Sequence, residues 1–387
     1  MSGSPRLPDE LFGIYVHWPY CAKICPYCDF NVYAAKSRDT SALEAAILKD
    51  IEGYAAGLTG RTLTSLYFGG GTPSLCAPSF LSEVIETSAV QFEPDGDIEI
   101  TLEANPEDIT PERLKAWKAA GVNRLSLGVQ ALNDDALRFL GRNHTSDEAR
   151  KAIDAALNVF PNTSIDLIYA RPGQSIHAWL EELDSALSKG TPHLSLYELT
   201  IKEKTAFAKQ VEREQFIPLG EDEQADLYIE TLKLTAKRGL PAYEVSNHAR
   251  SEDYCSRHNL TYWLNGEWLG IGPGAEGKLE LPDGRTTTIA EQRVPDYISA
   301  VEERGTGSAE TFSLTGIEAA EEAVILGLRS KRGVDRASVE ARLGAPLNAR
   351  KLESFTENGQ LLEEAGRISL TEKGWLLADY IAGEILP

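Results

Sequence analysis

Cys21, Cys25 and Cys28 fall within eight residues, in the string Cys21-Ala-Lys-Ile-Cys25-Pro-Tyr-Cys28. Thiolates are soft donors suited to zinc or to iron–sulfur clusters. Structural zinc closes on four ligands, often as two C-x2-C pairs. Here three cysteines are local and no second pair follows, so two assemblies fit. One is zinc completed by His17, four residues before Cys21; the other is a 4Fe-4S cluster on three thiolates with one open iron. Cys76 and Cys255 read as ordinary small residues. A second constellation, Gly69-Gly70-Gly71-Thr72-Pro73, follows Leu66-Tyr67-Phe68. Glycines let a backbone approach a ligand closely, and strand ends are where α/β sheets and barrels place their sites. No Gly-Lys-Ser/Thr follows, so the turn is not a P-loop. Glu103, Gln130, Arg142 and Asp166 stand at further strand ends, where they either pair around a rim or meet a ligand. A third string, His258-Asn259-Leu-Thr-Tyr262-Trp263, places an imidazole, a possible metal ligand, beside aromatic surface. Its plainer reading is a core histidine with Tyr262 and Trp263 as packing.

These residues need elements to hold them. Apolar runs at Ile14–Trp18, Leu63–Phe68, Ile98–Glu103, Arg124–Val129, Ser164–Ile168 and Leu194–Leu199 predict strands. Helical segments are expected between them at Ser41–Gly57, Pro78–Val90, Pro111–Ala120, Ser146–Val159 and Ile176–Lys189. Thr110-Pro111 marks one start, Ser146 before Asp147 and Glu148 another. This alternation predicts parallel strands in a barrel or a doubly wound sheet. Residues 221–239 read as a helix and Ala242–Ser246 as a strand, while His258–Gly277 has no clean period. Beyond residue 310 helices are expected at Gly316–Leu328, Asp335–Leu343 and Ala349–Asn358, then a turn-like piece and a last helix over Glu372–Glu384. The expected fold is α/β, a partial, open parallel β/α barrel of about six strands with a small C-terminal helical, winged-helix-like domain. The division is residues 1–300 against 301–387.

The chain has 387 residues with 59 acidic against 38 basic, a formal charge of −21. Phosphate binding needs clustered basic surface, so nucleic acid is not expected as a partner. From Glu310 onward 13 acidic face 9 basic residues, which argues against DNA for the winged-helix-like part as well. Composition is ordinary globular, with 42% hydrophobic and 25% charged residues. No window approaches the roughly 18 apolar residues of a membrane span, although a peripheral membrane contact is compatible with the sequence. MSGSPRLPDELFG shows no basic region followed by an apolar stretch, so no signal peptide is expected. Five cysteines, crowded rather than framework-spaced, point to a reducing cytoplasm.

C-x3-C-x2-C after the first strand and GGGTP after the second is the arrangement of the radical S-adenosylmethionine (SAM) enzymes. The phrases YVHWPYCAKICPYCDFN, YFGGGTPS, LEANPED, LSLGVQALND, LGRNH and DLIYARPGQS resemble the oxygen-independent coproporphyrinogen III oxidase-like group. Within it they look most similar to the HemW family of haem chaperones, from about Ile14 to the C-terminus. The resemblance implies a 4Fe-4S cluster on Cys21, Cys25 and Cys28, its open iron chelated by SAM. By motif, Tyr15, Gly70 and Glu103 are expected against SAM, with Tyr27 beside it. Gly71, Thr72, Gln130, Arg142 and Asp166 align with positions that hold a second SAM in the dehydrogenases. The H-N-x-x-Y-W string resembles a haem-handling signature, which implies haem as cargo near His258, Asn259, Tyr262 and Trp263. One departure matters: the porphyrinogen-oxidising members carry a further cysteine two residues after the third, where this chain has Phe30. The implied function is a haem chaperone, monomeric or homodimeric, that takes haem from a donor to an apo-haemoprotein acceptor. The alternatives are the coproporphyrinogen III dehydrogenase, which Phe30 disfavours, and a zinc-binding scaffold without SAM.

Overall fold

The structure is a computed structural model, describing residues 11–35 and 39–387. The segment read for a leader lies almost wholly outside the described residues. Six strands follow the sequence expectation: β1 (Phe12–Trp18), β2 (Thr62–Gly70), β3 (Glu93–Ala104), β4 (Arg124–Gln130), β5 (Thr163–Tyr169) and β6 (His193–Glu198). Five of them are buried along most of their length, and β3 over its carboxyl-terminal half, because helices cover one face and the barrel interior the other. The crossovers carry α1 (Ser41–Ala55), α2 (Pro78–Gln91), α3 (Pro111–Ala119), α4 (Asp134–Phe139), α5 (Ser146–Val159) and α6 (Ile176–Leu187). Thr110 caps α3 as expected, its side chain accepting from Arg113 N. The start of α5 is capped one residue earlier than its sequence suggests, by Thr145 in a reciprocal box with Glu148.

After α7 (Ala206–Glu212) and α8 (Glu221–Lys237) the chain departs from expectation. Ala242–Ser246 forms no strand; Ala242 makes an isolated bridge to His248, and the strand is β7 (Asn247–Ala249), antiparallel to β6. The stretch without a period contains a helix, α9 (Arg257–Trp263), and a strand, β8 (Glu267–Ile271), which pairs in parallel with β1. Among the described residues, seven neighbouring strands of the large sheet are therefore parallel rather than six. With β9 (Glu276–Leu281), β10 (Gly284–Ala290) and β11 (Ser308–Ser313) added antiparallel beyond β8, an 11-stranded sheet runs β11-β10-β9-β8-β1-β2-β3-β4-β5-β6-β7. It does not close. α10 (Val294–Arg304) packs on α1. Asp50 of α1 staples this region, accepting from Tyr297 Oη at 2.6 Å and Gly307 N at 2.8 Å.

The C-terminal part contains α11 (Gly316–Gly327), β12 (Val334–Asp335), α12 (Arg336–Leu343) and α13 (Ala349–Glu357). The hairpin β13 (Leu361–Glu364) and β14 (Arg367–Leu370) follows, with β14 between β12 and β13. The expected last helix is broken at Leu376–Leu377 into α14 (Glu372–Trp375) and α15 (Ala378–Ile385). A second core of Val324, Leu352, Phe355, Ile368 and Ile381 reaches back to Leu232 of α8 and to Ala242. Among the described residues no helix is long and apolar enough to cross a membrane.

Candidate functional site

The parallel strands deliver side chains from their carboxyl ends into one cavity of about 450 Å³, in the size range of small-molecule and cofactor sites. Cys21, Cys25 and Cys28 line it together with Tyr27, Gly70, Gly71, Thr72, Glu103, Gln130, Arg142 and Asp166. Tyr15 does not; its hydroxyl lies 3.0 Å from His17 Nδ1. Phe30 stands at the mouth, 61% exposed.

The cysteine loop is fastened to the glycine turn by backbone. Gly71 N donates to Trp18 O at 2.6 Å and Thr72 N to Tyr20 O at 2.9 Å. A Cβ on Gly71 would stand 2.7 Å from Tyr20 O, and Gly70 has φ +100° with His17 only 2.6 Å from where its Cβ would be. The chain's own packing therefore requires both glycines, so a bulky substitution there disturbs the loop whether or not a ligand is bound.

Arg142 reaches into the loop: Nη1 donates to Cys25 Sγ at 3.3 Å and Nη2 to Gly128 O at 3.1 Å and to Asn105 Oδ1, while the buried Nε has no partner among the described residues. Burial pushes the Cys21 thiol up to about 11 and raises that of Cys28. A metal must displace those protons, since thiolates are the ligands. His17 cannot complete a zinc site as it stands: Nε2 is 2.9 Å from Asn31 O and Nδ1 faces Tyr15. Among the described residues no three His, Cys, Asp or Glu side chains are grouped to hold a single ion. Donors to one tetrahedral zinc at about 2.3 Å must converge on a point, whereas each cysteine of a cubane cluster binds a different iron.

Across the cavity, Glu103 accepts from Tyr67 Oη at 2.8 Å. Withdrawal from water pushes Glu103 up to about 7, with Asp166 adding to the rise and the Tyr67 hydroxyl opposing it. Asp166 accepts from Ser126 Oγ at 2.8 Å and from Ser164 Oγ at 3.1 Å; burial raises it and these hydroxyls restrain the rise. Gln130 adopts φ +66° at the irregular end of β4, an uncommon backbone for a residue with a side chain. Tyr67, Asn105 and Ser126 were not singled out in the sequence. Only Tyr67 had a visible signal, two residues before the glycines.

The H-N-x-x-Y-W residues do not reach this cavity. α9 closes the barrel interior near the amino ends of the strands, where Glu99 accepts from Arg257 N and His258 N, both at 3.2 Å. His258 is 1% exposed, with Nδ1 3.0 Å from Ser65 Oγ and Nε2 2.6 Å from Tyr262 Oη. To ligate haem iron, as expected from the sequence, it would have to surrender one of these bonds and leave its stack on Tyr67. Trp263 instead lies against Arg329, 6.0 Å from guanidinium to ring; Asn259 N donates to Ser256 Oγ in the first turn of α9.

Residues 15–186 match the model of the radical SAM superfamily, and residues 314–377 that of the HemN C-terminal domain. The heme chaperone HemW of Bacillus subtilis is 32% identical, over 96% of this chain and 98% of its own length. That of Mycobacterium tuberculosis H37Rv is 34% identical, over 100% of this chain and 97% of its own. The chain belongs to the HemW family of the radical SAM superfamily. A mitochondrial radical S-adenosyl methionine domain-containing protein 1 from Danio rerio is 37% identical, over 86% of this chain and 76% of its length. The structure of coproporphyrinogen III oxidase (HemN) from Escherichia coli superposes with TM-score 0.80 at 24% identity, covering 98% of this chain and 91% of that one. That likeness concerns the fold.

Membership implies a 4Fe-4S cluster and SAM, and the donor set fits both. Three thiols line one cavity, a guanidinium stands over one of them, and a bare backbone turn faces the same space. Cys21, Cys25 and Cys28 would hold the cluster, which, bound and reduced, would supply the one-electron chemistry toward SAM that the superfamily's cofactor pair carries. The protein's own contribution is to fasten the cysteine loop to the glycine turn and to hold Glu103 and Asp166 through the Tyr67, Ser126 and Ser164 hydroxyls.

Proposed function

We propose that this protein binds haem in the cytoplasm and passes it from a donor to an apo-haemoprotein. Cys21, Cys25 and Cys28 hold the 4Fe-4S cluster in this reading, and Gly70, Glu103 and Tyr27 surround SAM. Gly71, Thr72, Gln130, Arg142 and Asp166 are available to a second SAM in the same cavity. The observation that carries the reading is the convergence of three thiols, the glycine turn and Glu103 on one cavity, in a chain aligned end to end with HemW proteins. Phe30 in place of a further cysteine weighs against coproporphyrinogen oxidation.

The test is anaerobic reconstitution followed by haem titration and transfer on the same sample. The expected result is a cluster, a Soret band that saturates, and haem delivered to an apo-haemoprotein. Conversion of coproporphyrinogen III by the reduced, SAM-loaded protein would overturn the reading in favour of the dehydrogenase. A reconstituted protein that fails to bind haem would also overturn it.

A further inference from the structure

His258 and Tyr262 belong to the string associated with haem handling, yet their contacts lead to the cluster cavity. The His258 ring stacks on Tyr67 with centroids 4.9 Å apart and planes at 22°. Its Nδ1 faces Ser65 Oγ, two residues before Tyr67 on β2, and its Nε2 faces Tyr262 Oη one helical turn further on. Tyr262 is held edge-on to Trp268 of β8 at 4.6 Å. Gly13 of β1 leaves the room the imidazole occupies: a Cβ there would stand 3.1 Å from Nδ1 and 2.7 Å from Ser65 Oγ. The ring is fixed at both nitrogens, and its face sets the plane of Tyr67. The far end of Tyr67 donates to Glu103 at 2.8 Å, inside the cavity.

We propose that His258, oriented by Tyr262 and Ser65, is a positioning residue that sets Tyr67 and thereby aims the Glu103 carboxylate across the cavity. The α9 motif thus acts from beneath the cluster site, as the element that sets one wall of it. An imidazole suits the place because it is flat enough to stack and carries a hydrogen-bonding atom at each end. A phenyl ring would stack but leave its rotation free, and Ser65 and Tyr262 would lose their partner. Because the Glu103 carboxylate lies beyond Tyr67 from the histidine, a change at position 258 alters the cavity without touching a ligand directly.

The effect on SAM rests on the reading that Glu103 faces SAM, so the experiment separates the two claims. Fluorotyrosine placed at Tyr67 reports the positioning step without SAM: its 19F resonance is expected to shift and broaden in His258→Ala and, less, in Tyr262→Phe. SAM affinity of the reconstituted protein is then expected to fall about five- to tenfold in His258→Ala, the scale of one hydrogen bond. Tyr67→Phe should lose a similar factor, and the double variant little more than either, since the two act in series. If His258→Ala does not fold, Tyr262→Phe, which removes one hydroxyl, carries the same readouts. An unmoved 19F resonance in both variants overturns the proposal, as do fully additive losses. A shifted resonance with SAM affinity unchanged in Glu103→Gln and Tyr67→Phe overturns the SAM placement and leaves the positioning intact. A displaced Soret band in His258→Ala with an unmoved 19F resonance would return His258 to haem.

Discussion

Removing the Glu99 carboxylate tests the closure of the barrel floor. Glu99 is 6% exposed and Arg124 2%, and their charges approach to 3.9 Å. The same carboxylate accepts from the backbone of Arg257 and His258 and from Ser256 Oγ at 3.4 Å, so it caps α9 while neutralising Arg124. Glu99→Ala leaves a buried guanidinium with Asn162 Oδ1 and Tyr254 O as neutral partners. Breaking a buried pair from one side costs about 3–5 kcal/mol, a figure that already overlaps the orphaned N–H groups, each about 1–3 kcal/mol alone. At about 2.1 cal/mol/K per residue, a chain this long has an unfolding entropy of about 0.8 kcal/mol/K. The midpoint should therefore fall by about 4–6 °C in thermal unfolding followed by circular dichroism. Glu99→Gln keeps acceptors for the N–H groups and loses only the charge, so its loss should be about half as large. A shift below about 1 °C in Glu99→Ala, or equal losses in the two variants, would refute the dual role argued for this carboxylate.

Cys25→Ala should abolish the cluster while leaving the far-ultraviolet spectrum unchanged, as the thiol lines a cavity rather than a core; iron analysis checks it. Arg142→Gln removes a positive charge beside Cys25 Sγ, so a potentiometric titration followed by EPR should give a more negative cluster potential. Asp50 gives a pH dependence. Burial pushes it up to about 6, above the unfolded value of about 3.9. The folded state therefore holds the proton more tightly, and its contribution, full below about pH 4, is lost as pH rises to about 6. Urea midpoints at pH 5 and 7 should fall for wild type relative to Asp50→Asn, which has no such proton to lose; parallel changes in the two proteins would contradict the assignment.

The six expected strands were legible because each is a short β-rich run placed between amphipathic helices with their own start signals. β8 was not, and the reason is steric. Gly270 sits inside it because a Cβ would stand 2.3 Å from Glu276 O of the neighbouring β9, so close strand approach replaced the apolar pattern that marks a strand. Near Ala242 the alternation misled, since Glu244 is polar yet fully buried, with burial pushing it up to about 7. In the site, cysteines and glycines announce themselves by type and spacing. Tyr67 and Ser126 matter through partners 36 and 40 residues away, Glu103 and Asp166, which no local spacing displays.

The H-N-x-x-Y-W string shows where residue type stops short of function. A histidine among aromatics reads alike whether its nitrogens face an iron or two hydroxyls, because both settings want a flat, neutral, desolvated ring. What separates them is hydrogen-bond accounting. A ligand to haem iron needs one nitrogen uncommitted, with an open approach, and the other held by a partner that fixes the tautomer. Here Ser65 and Tyr262 take one nitrogen each, Tyr67 takes a face, and burial pushes the ring down to about 3, so it stays neutral at any working pH. As bonded to β2 and α9, the imidazole offers a metal no free nitrogen unless one of these hydrogen bonds is given up. Its orientation is carried instead into Tyr67 and the Glu103 carboxylate above it.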